Sequence, residues 1–311
     1  MSGKMTDLAE QLVDSVSRHS ACNDGRAHLE IHQNEVVGTH LVPGLLVEAH
    51  SRANGVDVTM QVEDNAVLEK PVQICFGVLP EEGLQQINLD VRMGKNARAS
   101  FEAFCTFPNA RRVQHVMDAR LVIEDGAQYA YFERHVHGPQ GGVEVIPHAE
   151  IFIGKHASFK TEFELIKGAV GLMDIDYTMH CDAYGVFEML ARIFGRGDDR
   201  VKIREAGFLN GEGSRGALTS HIALRDRARA EIYNELIADA PYARGHVDCK
   251  EIIRNEAVAK AVPVVEVRHP RAHVTHEAAI GSVDSTQLQT LMARGLDEEA
   301  ASDLIIRGML S

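Results

Sequence analysis

The sequence predicts a mainly β chain coiled into a solenoid, and three observations carry that prediction. Apolar and polar residues alternate with period two through most of residues 27–282. Short polar turns interrupt the alternation at a step of roughly 28–30 residues, and intermediate turns near Pro241 and Pro270 give a half-step of about 15. Helical periodicity is confined to the two ends. A fixed step without helical period marks stacked β coils, each unable to bury its apolar face without neighbours. Sandwich and barrel hairpins step every ~8–12 residues, so a solenoid is favoured over either.

Taken in order, residues 1–26 form an N-terminal helical segment. Thr6–His19 places Leu8, Leu12, Val13 and Val16 at helical spacing, with Thr6 or Asp7 as N-cap, before CNDGR breaks it. Residues 27–282 form the β core. Strand alternation is clear at 28–32, 56–63, 87–93, 100–104, 130–134, 149–153, 158–166, 200–205, 230–237 and 264–268. The turns between them read GKNA (94–97), EDGA (124–127), GKHA (154–157), CDAYG (181–185), RGDD (196–199), RDRA (225–228), RNEA (254–257) and HPRA (269–272). Residues 283–311 then turn helical. Leu288, Leu291 and Met292 follow a capping-box-like start at Asp284 and Gln287, and Gly295 closes that helix. A second begins at Asp297, with Glu298 and Glu299 in the first turn and Leu304, Ile305 and Leu310 beyond.

Composition narrows the function classes. The net charge of −13, from 45 acidic and 32 basic residues, repels nucleic acid and anionic membranes. No apolar run approaches the ~20 residues of a membrane span, and the first residues lack an apolar signal core, so a cytoplasmic location is expected. The five cysteines are odd in number and never in CxxC, which argues against disulfides and zinc fingers. Sixteen histidines are the unusual count. GRGDDR and GEGSRG open no helix after a strand and read as turns rather than phosphate loops. No Walker A motif and no nucleophile elbow are present.

Two groups have ligand chemistry. The first joins Ala272–Gly281 (AHVTHEAAIG), where His273, His276 and Glu277 end the strand-rich region, with Asp248 and Cys249, whose carboxylate and thiolate suit iron beside imidazole. The second is 134–150, RHVHGPQGGVEVIPHAE. His135 and His137 at i, i+2 face one side of a strand and suit one metal, with Glu144 and His148 available to return to it. His180 and Cys181, being adjacent in a strand, point oppositely.

The run VPVVEVRHPRAHVTHEAAIGSVDSTQLQTLMARGLDEEAASDLIIRGML (262–310) resembles the C-terminal region of the SufB/SufD family, scaffolds of SUF iron–sulfur cluster assembly. Residues 214–253 resemble its preceding coils more loosely. The resemblance implies a right-handed parallel β-helix flanked by helices, and a homodimer formed through the β-helix. It also implies a transiently held iron–sulfur cluster, recipient proteins for that cluster, and a separate SufC-type ABC ATPase docked on Leu288, Leu291, Met292, Leu304 and Ile305. The chain is then a non-enzymatic scaffold that binds no ATP itself. The family's cluster cysteine aligns with Asp248, one residue before Cys249, so either supplies the ligand, opposite His276 and Glu277 of another subunit. Part of 134–150 resembles the place of a Cys-Thr-Ala-Pro turn in many SufB chains, with histidine here instead of cysteine. The same stretch also resembles the cupin metal motif. The alternative is therefore a cupin-like mononuclear metalloenzyme using His135, His137 and Glu144.

Overall fold

The computed structural model describes residues 26–311; the helix expected over Thr6–His19 lies outside them. Two sheets stack along one axis, and the chain passes from one to the other at every half-coil. The first sheet runs, in spatial order, β2 (Glu35–His40), β1 (His28–His32), β5 (Val72–Gly77), β7 (Arg98–Phe107), β9 (Gln128–His137), β11 (Ser158–Lys167), β13 (Val186–Gly195), β15 (Arg215–Leu224), β17 (Arg244–Ile253) and β19 (His273–Gly281). The second runs β3 (Leu45–Arg52), β4 (Gly55–Val62), β6 (Glu82–Met93), β8 (Arg112–Ile123), β10 (Val143–Ile153), β12 (Gly171–Cys181), β14 (Arg200–Leu209), β16 (Arg229–Ala238) and β18 (Val258–Val267). The fold is thus the parallel β-solenoid that the turn spacing predicts.

Register follows the repeat. Arg215 pairs with Arg244 and Arg244 with His273, a step of 29 residues each time. The corners explain why those turns could be read. Asn96, Gly126, His156 and Tyr184 occupy the left-handed region in successive coils at one corner, and Gly197, Asp226 and Asn255 do so at the other. A tight bend needs that conformation, which glycine, asparagine and aspartate adopt at least cost. His156 and Tyr184 are the exceptions, and their rings stack at 5.0 Å.

Alternation sends every second side chain into the solenoid, where Phe76, Phe101, Phe107 and Phe187 are among the fully buried residues. Phe187 fits because its neighbours Gly207 and Gly216 lack side chains, and a Cβ at either would run into its ring.

The two ends are finished differently. At the N-terminal end β1–β2 and β3–β4 are antiparallel pairs that fold back over the first coil. At the C-terminal end the edge strands β18 and β19 are parallel to their neighbours, and like β2 and β3 at the other end they pair on one side only among the described residues. Two helices follow, α1 (Ser285–Met292) and α2 (Glu298–Met309), capped by Asp284 and Asp297 as the sequence predicts. The Ile306 and Leu310 side chains pack with Phe194 and Ala223 on the outside of the first sheet. No helix among the described residues is long and apolar enough to cross a membrane.

Candidate functional site

Where β6 to β10 pass, the solenoid interior becomes polar. Gln85 and His115 enter from the second sheet as register neighbours on β6 and β8. Cys105 and His135 enter from the first as neighbours on β7 and β9, with Glu133 and His137 two residues either side of His135. All six are buried. One ligand atom from each of Cys105, His115, Glu133 and His135 lies within 4.8 Å of the others.

The hydrogen bonds fix the donor roles. The Gln85 amide nitrogen donates to the carbonyls of Ile31 and Gln33 at 3.2 and 2.8 Å, so its oxygen must accept. His115 Nδ1, 2.9 Å from that oxygen, is therefore the protonated nitrogen of its ring. His137 Nδ1 donates to the Ala169 carbonyl at 3.1 Å, which leaves its Nε2 to accept from His135 Nδ1 at 3.1 Å. His135 Nε2 then sits 2.7 Å from Glu133 Oε1, and the Cys105 thiol donates to the same oxygen at 3.5 Å.

Burial dominates the electrostatics. It pushes the Cys105 thiol well up and holds His115 down to about 3 and His137 well below the usual imidazole range. Burial also raises the Glu133 carboxyl, but the hydrogen bond and charge of His135 outweigh it and hold Glu133 below its ordinary value. The result is a carboxylate beside two neutral imidazoles and a protonated thiol.

The structure brings together His135 and His137, as predicted, but not Glu144 and His148. β10 turns Val143, Val145 and Pro147 inward, so its even-numbered residues face solvent. Glu144 accepts from Gln114 at 2.8 Å, and His148 lies 3.7 Å from Asp118. Without Glu144 the cupin-like ligand set has lost its third member. Sequence reading missed Cys105, His115 and Glu133. Counting back one coil of 30 from His135 gives Cys105, so the repeat itself held the signal.

The C-terminal group divides by the same parity. Cys249 points inward, is fully buried, and accepts from Asn234 Nδ2 at 3.8 Å. Burial pushes its thiol up to about 11, against the pull of the neighbouring Ser220 hydroxyl, and Glu251 and Glu205 add to the rise. Glu205 and Glu251 are themselves buried, which raises them to about 8 and about 7. Neither oxygen of Glu251 nor Oε2 of Glu205 has a hydrogen-bond partner among the described residues. Asp248 points outward, 2.7 Å from the Lys250 ammonium. On β19, His276 continues the inward row, paired with Val247, and Glu277 the outward row, paired with Asp248; both are exposed. Within one subunit the four residues therefore do not form one set. Cys249 and His276 lie on the inward-facing rows, the first buried and the second exposed, whereas Asp248 and Glu277 lie on the outward-facing rows. His180 and Cys181 do point oppositely: Cys181 is buried and His180 stacks between Phe152 and Phe208 on the outer face.

Beside this end, α1, α2 and the end of β19 flank a groove of about 930 Å³ lined by Ile280, Leu291, Leu304 and Ile305. Met292 and Leu304 are exposed, while Leu288, Leu291 and Ile305 are half-buried.

Comparison with known proteins adds a match between residues 78–309 and the family model "SUF system FeS cluster assembly, SufBD core domain". An iron–sulfur cluster assembly SufBD family protein of Pyrococcus horikoshii is 34% identical over 284 residues, 91% of this chain and 86% of the relative. One of Methanocaldococcus jannaschii is 30% identical over 280 residues, 90% and 89% of the two chains. A third, of Methanothermobacter thermautotrophicus, is 25% identical over 244 residues, 78% of this chain and 59% of the relative.

Proposed function

The chain belongs to the SufBD family of iron–sulfur cluster assembly proteins, and from that premise we propose that it is a non-catalytic cytoplasmic scaffold. It acts as a homodimer with a SufC-type ABC ATPase, holds an iron–sulfur cluster transiently and passes it to recipient proteins. The cluster is cargo, taken by Cys249 of one subunit and His276 of the other. Asp248 and Glu277 line the outer rim.

The carrying observation is the C-terminal end of the solenoid. Cys249 and Glu251, whose two carboxylate oxygens have no partner among the described residues, lie on β17, the last well-buried strand of the first sheet, and buried Glu205 enters from β14 of the second sheet. The strand paired over Cys249, β19, is the exposed one that bears His276. Thiolate, imidazole and carboxylate are the donors that iron and its clusters use. An unpaired sheet edge is a template for another chain, so a second copy on β18 and β19 would both cover that edge and supply the missing ligands. Leu288, Leu291, Met292, Leu304 and Ile305 leave an apolar surface beside the groove that suits the ATPase. ATP is bound by that partner, since this sequence has no Walker A motif.

Mixed dimers test the shared site. Cys249→Ser and His276→Ala should each abolish the visible cluster spectrum after anaerobic reconstitution while the dimer persists. A dimer of one Cys249→Ser and one His276→Ala subunit retains one intact site and should recover about half the signal. No recovery in the mixed dimer would mean that each subunit holds its own cluster, and unchanged spectra in both single variants would remove the cluster from this end altogether.

A further inference from the structure

We propose that Cys105, His115, Glu133 and His135 form a second site, inside the solenoid, for a single borderline divalent transition-metal ion of the Fe²⁺ and Zn²⁺ class. The inference rests on the geometry of these residues and not on the cluster-scaffold reading. It concerns a part of the chain far from Cys249: β7, β8 and β9 rather than β17.

The donor set comes first. One thiolate, two imidazoles and one carboxylate are ligands that such ions take four at a time, at about 2.0–2.3 Å from the metal. That geometry spaces the ligand atoms roughly 3.4 Å apart. Here Glu133 Oε1 lies 2.7 Å from His135 Nε2 and 3.5 Å from Cys105 Sγ, and the four ligand atoms lie within 4.8 Å of one another. Small side-chain adjustments therefore suffice, with no change of strand register.

The surrounding contacts match what metal-bound histidines require. A ligating imidazole characteristically donates its other N–H to an acceptor that fixes the tautomer and the ring. Gln85 does this for His115, and its own amide is pinned by the carbonyls of Ile31 and Gln33. His137 does it for His135, and is itself anchored on the Ala169 carbonyl. In each ring Nδ1 is the donor, which leaves Nε2 to bind the ion, in His135 once the proton it shares with Glu133 has gone. Phe107 and Phe163 pack around these rings, with centroids 5.2 Å from His115 and 4.8 Å from His135.

Charge balance completes the argument. Without metal the site buries a carboxylate, the proton between it and His135, and a thiol proton. The ion displaces those two protons, one from Cys105 Sγ and one from between His135 and Glu133. A divalent cation with one thiolate and one carboxylate is neutral overall, which is the cheapest way to bury two anionic ligands. His137, which the sequence suggested as a ligand, is then a positioning residue.

Cobalt is the probe. Full-length protein is chelator-stripped anaerobically and titrated with Co²⁺, with brief unfolding and refolding in its presence so that burial does not block entry. The expected result is one Co²⁺ per chain with a thiolate-to-cobalt charge-transfer band and intense tetrahedral d–d bands. Those bands should persist in Cys249→Ser, disappear in Cys105→Ser, and need about 10–100-fold more Co²⁺ in Gln85→Leu. Absence of the bands, or their loss in Cys249→Ser, would overturn the site. Should Cys105→Ser not fold, X-ray absorption of cobalt in the Cys249→Ser protein decides: a shell with one sulfur and two imidazoles supports the assignment, and an oxygen-only shell refutes it. Because Cys249→Ser removes the cluster ligand and spares this one, failure of either reading leaves the other testable.

Discussion

Glu205 shows most directly how the interior sets the behaviour of single residues. It points inward from β14, and burial holds its carboxyl up at about 8. An unfolded glutamate titrates near 4.3, so between those values the folded chain binds a proton that the unfolded chain has lost. Stability therefore falls as pH rises through this window, by up to about 1.4 kcal/mol per pH unit. It is fully present below the unfolded pKa. Glu205→Gln cannot titrate, so its melting temperature should exceed that of the wild type at pH 8 and converge with it near pH 4.5. Parallel melting curves across that range would show that Glu205 is ionised when folded. At this same scale, the one-residue difference between Asp248 and Cys249 decides which of them can reach the interior, since a strand reverses side-chain direction at each step.

At the scale of the coil, the corners carry much of the specificity. Asn255 holds φ 58, and its Oδ1 accepts the Asp226 backbone N–H from the preceding coil at 3.3 Å. Asn255→Val puts a β-branched residue in the left-handed region and removes that bond. The expected cost is about 1–3 kcal/mol, measurable by denaturant unfolding, whereas Asn255→Gly should lose less. Equal stability of the two variants would mean that the corner relaxes. At the other corner the Asn96 side-chain amide donates to Asn65 Oδ1 of the preceding coil at 3.1 Å, so the corners bond coil to coil as well as reversing the chain. Glycine works differently at Gly207 and Gly216, where it makes room for Phe187.

At the scale of the molecule, the asymmetry between the two ends organises function. The N-terminal end finishes in the antiparallel edge strands β2 and β3, whereas the C-terminal end offers the parallel edge strands β18 and β19 and the groove beside α1 and α2. Deleting residues 284–311 should abolish co-purification with an ABC ATPase while leaving the β body folded and dimeric, read by light scattering and circular dichroism. Full retention of the ATPase would move its docking surface to the solenoid. The deletion also exposes Phe194 and Ala223, which pack against Ile306 and Leu310, so a modest fall in melting temperature accompanies it.

Much of the architecture was legible in the sequence because it depends on local chemistry. Period-two alternation sets strands, left-handed corners select Asn, Asp and Gly, and Asp284 and Asp297 cap their helices; each acts within a few residues. The step of 29 residues extends that legibility to the stacking of coils, and the run from Val262 to Leu310 carried the family resemblance. What only the tertiary structure decided was which wall of the solenoid meets which. Cys105 and Glu133 belong to one sheet and His115 to the other, and no pattern along the chain sets the rotation of one sheet against the next. The same holds for Glu144 and His148: close to His137 in sequence, they lie outside the wall because β10 points its odd-numbered residues inward. Proximity of ligands across a solenoid is a property of the closed coil, where packing of opposing side chains fixes the distance that sequence spacing leaves open.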